Sequence, residues 1–90
     1  MKKIIFLFTL LTSLLFAQKE DYYIHFSKAY NKFDKKDLWG SVKEYTKYLD
    51  KVKTDADAYY NRGIAYFELG EYNLSIADYD TALTIDSTYY

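Results

Sequence analysis

The sequence predicts an all-α protein made of two helix–turn–helix units in tandem, and three observations predict it. Past the leading segment, the chain matches itself at an offset of 34 residues. Within each unit, apolar side chains recur at the three- and four-residue spacing of a helix face. Gly70 falls at the end of one such run, where a left-handed residue commonly closes a helix.

At that offset Phe33 meets Phe67, Ser41 meets Ser75, Tyr45 meets Tyr79, Leu49 meets Leu83 and Thr54 meets Thr88. Pairs alike in size and polarity join them: Phe26/Tyr60, Lys28/Arg62, Ala29/Gly63, Asp34/Glu68, Asp37/Glu71, Val42/Ile76 and Glu44/Asp78. Scattered identity arises by chance in a chain rich in Tyr, Lys and Asp. Matching in both size and polarity at one offset is harder to produce that way.

The first seventeen residues, MKKIIFLFTLLTSLLFA, precede the repeats and differ from them. Lys2 and Lys3 supply positive charge, Ile4 to Phe16 an apolar block of 13 residues, and Ala17 a small residue at a cleavage position. That is the layout of a signal peptide. A spanning helix needs about 20 apolar residues, more than this block offers. The expectation is export to the periplasm or the exterior, with a mature chain starting at Gln18 and no stable membrane span. Absence of cysteine removes disulfides, thiolate metal sites, thiol nucleophiles and a bacterial lipid anchor.

Helices are expected near 22–34, 38–52, 56–69 and 73–86. The first is the least regular. In the second, Leu38, Val42, Tyr45, Leu49 and Val52 form an apolar stripe. Asp55 and Asp57 stand where a cap or first-turn acid opens the third. That helix carries Tyr59, Gly63 and Tyr66 on one face, and the fourth carries Tyr72, Ile76, Tyr79 and Leu83. Gly63 costs about 1 kcal/mol of helix propensity relative to alanine, so its place calls for a close helix crossing. Ala29 and Ser75 are small for the same reason. The expected organisation is a leader over 1–17, a degenerate first unit over 18–55 (repeat 22–55) and a second unit over 56–90 (repeat 56–89).

These residues resemble the tetratricopeptide repeat, closely over 56–89 and more loosely over 22–55. Tyr59, Gly63, Tyr66, Ser75, Tyr79 and Ala82 stand at the aromatic and small places of that motif. Departures are Arg62 for the leucine beside the glycine, Lys53 and Ser87 for the proline between repeats, and in the first unit His25, Lys32 and Tyr48. The resemblance implies a short right-handed α-solenoid that presents a concave groove to a protein or peptide. Helical phase assigns Tyr23, Phe26, Tyr30 and Phe33 to that groove from the first unit. Tyr60, Asn61, Ile64, Phe67 and Glu68 come from the second. Aromatic side chains there suit contact hot spots, although several could instead pack between repeats. The basic clamp that some members close on a carboxylate is not reproduced: Asn61 is present, but Tyr60 and Ile64 flank it where lysines would be needed. The alternative role is a terminal piece of a longer array that self-assembles or docks a neighbouring domain.

Catalytic and ligand chemistry finds no footing. The glycines of GIAYFELG lie within and after a helix, seven residues apart, unlike a phosphate loop. His25 is the lone histidine, without the companions a metal site or general base requires, and reads as a substituted repeat position at a helix edge. Asp78 and Asp80 read as solvated acids without the glycine turn of a calcium loop, and Lys35-Lys36 as a solvated corner. Asn73-Leu74-Ser75 fits a glycosylation pattern, but Ser75 is expected to face inward. No enzyme activity and no cofactor are implied. Residues 18–53 hold nine lysines against six acids, whereas 54–90 hold Arg62 alone against seven. The net −3 past residue 17 disfavours nucleic acid. With opposite charge on its two ends and only two units, the chain is expected to be marginal alone and prone to head-to-tail stacking.

Overall fold

The computed structural model describes residues 22–89. Helix α1 covers 22–34, α2 Leu38–Lys51, α3 Ala56–Glu68 and α4 Tyr72–Ile85. The described residues form no strand, and the fold is an all-α solenoid of two helix–turn–helix pairs. The leader expected over 1–17 lies outside the described residues.

The later helix ends differ by one residue from the expectation. Val52 is the C-cap of α2, its backbone leaving helical geometry while its N–H still reaches Tyr48 O. Glu71 precedes α4 as its N-cap, so that helix starts at Tyr72. Asp55 caps α3 through the backbone N–H groups of Asp57 and Ala58, as its position led us to expect. Asp37 does the same for α2 through Gly40 N.

The turn inside each pair is built the same way. After α3, Gly70 has φ +79°, its N–H donates to Phe67 O, and Glu71 N–H donates to Tyr66 O. After α1, Lys36 has φ 67°, its N–H donates to Phe33 O, and Asp37 N–H donates to Lys32 O. Both are left-handed closures in which two successive amides satisfy the last carbonyls of the helix. The expected solvated corner at Lys36 is thus also a strained one.

The helix crossings inside each pair match as well. Ser41 Oγ donates to Ala29 O at 2.8 Å, and Ser75 Oγ donates to Gly63 O at 2.7 Å. A hydroxyl can reach a carbonyl in the middle of another helix only where the backbones approach closely. Ala29, Ser41 and Ser75 are accordingly at most 1% exposed. A Cβ added at Gly63 would lie 2.7 Å from the Tyr79 ring and 3.3 Å from Asp78 Cβ. Gly63 is a packing residue with no room even for a methyl group unless Tyr79 moves.

The largest buried cluster holds Ala29, Tyr45, Tyr48, Leu49 and Ala58, with Tyr22, Phe26, Val52 and Tyr59 against it. It joins α1, α2 and the start of α3. The stripe expected on α4 is only partly buried: Tyr72 and Ile76 are exposed, and Tyr79 and Leu83 half-buried. α2 is covered by α3, whereas no described helix follows to cover α4 in the same way.

Candidate functional site

Between α1 and α3 the structure opens a cleft of about 170 Å³. Tyr30, Phe33 and Asp34 line it from the end of α1, Asn61 and Ile64 from the middle of α3, and Tyr45 from α2. The spacing of these residues explains why they meet. Tyr30, Phe33 and Asp34 share one face of α1 at i, i+3 and i+4, and Asn61 and Ile64 share one of α3 at i and i+3. Burial, against the opposing effect of the neighbouring Asn61 side chain, pushes the Tyr45 phenol up to about 12. Tyr45 therefore stays a neutral hydroxyl at ordinary pH. The cleft presents aromatic and aliphatic walls with one carboxylate, Asp34, and suits the insertion of a single side chain.

Four of the nine expected groove residues, Tyr30, Phe33, Asn61 and Ile64, come together here. The others lie elsewhere. Phe26 meets Tyr45 and Tyr48 edge-on, with centroids 5.5 and 5.2 Å away, and belongs to the core. Tyr60 sits against Tyr79 and Tyr89, at 5.4 and 5.0 Å. Tyr23 lines a second, broader depression with Tyr48, Asp55, Ile85 and Tyr89. Phe67 is exposed beside Tyr72, and Glu68 is exposed. Helical phase finds the face but not which of its side chains a neighbouring helix has already taken.

Two lining residues, Asp34 and Tyr45, were missing from the expected set. Tyr45, on the α2 stripe, reads as core from the sequence, and it is buried yet lines the cleft. Asp34 follows Phe33 at the helix end, and only its place next to two aromatics could have marked it.

One reading of a charged residue is corrected. Asp78 is not on a solvated face: it is buried and holds Arg62 in a two-pronged pair, Nε to Oδ2 and Nη2 to Oδ1, each 2.8 Å. Arg62 is half-buried, with Tyr59 and Tyr66 under its guanidinium at 5.7 and 5.8 Å. This explains the arginine beside the glycine, where the repeat motif has leucine. His25, half-buried at its substituted repeat position, has its Nδ1 2.6 Å from Glu44 Oε2. Burial pushes the Glu44 carboxyl up, but the His25 bond and Lys47 outweigh it and hold Glu44 below its ordinary 4.5.

Among the described residues no group of three His, Cys, Asp or Glu side chains could hold a metal ion. No described helix is long and apolar enough to cross a membrane. Compared with known proteins, residues 56–89 match the family model of the tetratricopeptide repeat. No curated protein and no solved structure matches the chain. The matched segment is α3, α4 and the turn after them, and a repeat of this kind points to protein–protein interaction.

Proposed function

We propose that this chain, with a tetratricopeptide repeat at residues 56–89, is an exported, non-catalytic scaffold that holds a protein or peptide in the α1/α3 cleft. The observation that carries the reading is the cleft itself. Its walls are aromatic and aliphatic, it opens on the face shared by the first helices of the two pairs, and Asp34 stands at its edge. An exposed aromatic such as Tyr30 beside a concave, partly apolar site is the usual make-up of an interaction hot spot. Export is supported by Lys2, Lys3 and the short apolar block before Ala17.

Peptides selected from a random library on the purified protein test the binding reading. Tyr30→Ala and Ile64→Ala should each weaken the selected peptides about tenfold or more, with helicity retained. Tyr72→Ala, an exposed aromatic remote from the cleft lining, should leave them unchanged. Peptides that bind all four proteins equally would remove the cleft from the account. Mass spectrometry of the exported protein tests the leader: Gln18 should be the N-terminus, and a product retaining Met1 in a membrane fraction would defeat cleavage.

A further inference from the structure

The outer side of α4 repeats, 34 residues on, the side of α2 that α3 covers. Val42 on α2 is 6% exposed, and its counterpart Ile76 on α4 is 57% exposed. The α2–α3 contact is therefore a template for what the α4 face would accept. Within the chain, Arg62 Nη1 on α3 donates to Thr46 Oγ1 on α2 at 3.2 Å. The residue 34 before Arg62 is Lys28 on α1, and the one 34 after Thr46 is Asp80 on α4. Both are exposed. An α1 laid on α4 as α3 lies on α2 would bring a lysine to an aspartate where the chain itself has an arginine and a threonine.

Each face also carries an exposed apolar side chain, Ile24 on α1 and Ile76 on α4. In the internal contact Tyr48, the large partner, shares a cluster with the small Ala58. Of their counterparts, Ala82 is already fully buried within the chain, whereas Ile24 on α1 is 48% exposed, so the incoming helix supplies the uncovered apolar side chain at this level. The total charge follows the same direction, basic over 18–53 and acidic over 54–90.

We propose that a second copy of this chain docks its α1 face on the α4 face of the first, in the register that pairs the incoming Lys28 with Asp80. Burial of Ile76 and of Ile24, one on each side of the charge pair, supplies adhesion, and the charge pair selects register, since exposed pairs alone contribute little. The contact is head-to-tail, so it propagates as an open row of copies. It leaves the α1/α3 cleft accessible and stands or falls independently of the binding reading.

Sedimentation velocity on the full chain over a range of concentration tests this with Lys28→Asp, Asp80→Lys, their equimolar mixture and Ile76→Asp. The altered positions are all exposed, and circular dichroism should show native helicity throughout. Lys28→Asp carries acid on both faces and Asp80→Lys base on both, so each alone should associate about tenfold more weakly than the unaltered protein. Mixing them restores opposite charges at every junction and should restore association. Ile76→Asp should abolish it. A protein monomeric at every concentration would overturn the proposal. So would association indifferent to the single reversals, as a contact through another surface would give, or a mixture no better than its components.

Discussion

Arg62 and Asp78 show how one side-chain pair can fix a helix crossing. The arginine spans α3 to α4 through Asp78 and α3 to α2 through Thr46, so it ties both pairs together. With side chains only 17% and 8% exposed, the pair is costly to break from one side: Arg62→Ala should lower unfolding free energy by about 3 kcal/mol, read from denaturant melts. Glu44 is the counterpart of Asp78 one repeat earlier but finds a different partner, because Lys28, the counterpart of Arg62, is exposed and His25 comes in instead. Glu44 has a folded pKa below its ordinary 4.5, so its contribution is present above that value and lost as pH falls through the lower folded value. Melting temperature should fall as pH drops below about 4.5, and Glu44→Gln should flatten that part of the curve. Gly63 gives the sharpest steric case. Gly63→Leu should cost about 3 kcal/mol or more by overpacking. Gly63→Ala, a gain on helix propensity alone, should be a loss of about 1 kcal/mol, because the new methyl meets the Tyr79 ring.

Helix ends carry the repeat more faithfully than helix faces do. Lys36 and Gly70 stand 34 residues apart, both left-handed, in turns with the same two hydrogen bonds. Glycine takes that conformation without penalty, whereas a residue with a Cβ is strained there by about 1 kcal/mol. Lys36→Gly should accordingly stabilise the protein by up to about 1 kcal/mol, and Gly70→Ala destabilise it by a similar amount, both measured by thermal or denaturant melts. Gly70 was legible in the sequence because glycine announces its backbone. Lys36 was legible only as a charged corner, since nothing in a lysine signals positive φ. The helices themselves are legible from period and caps, with Asp55 marking the start of α3. The cleft was half legible. Phase placed Tyr30, Phe33, Asn61 and Ile64 on the right face, but it could not show that Phe26 would be taken by Tyr45 and Tyr48, or that Arg62 would turn inward to a buried acid.

Across the whole molecule, burial is uneven along the row of helices. α2 lies between α1 and α3 and contributes three of the five residues of the main cluster, Tyr45, Tyr48 and Leu49, whereas α4 leaves Tyr72, Leu74 and Ile76 open. Amides in the middle of α2 and α3 should therefore exchange most slowly, and those of α4 faster, a gradient that hydrogen exchange would resolve. Uniform protection along the four helices would contradict it. Tyr48 Oη donates to Asp55 Oδ2 at 2.6 Å, so the residue that caps α3 is also anchored to α2. Trp39 adds an optical consequence. It is the only tryptophan among twelve tyrosines, it is exposed on α2, and its ring lies 6.4 Å from Tyr66 on α3. Light absorbed by Tyr66 passes to Trp39 most efficiently while the two pairs remain docked. Because the indole already faces water, separating the pairs should change its emission colour little but dim the tyrosine-sensitised part of its fluorescence. The chain thus carries a native gauge of inter-pair distance that needs no attached dye.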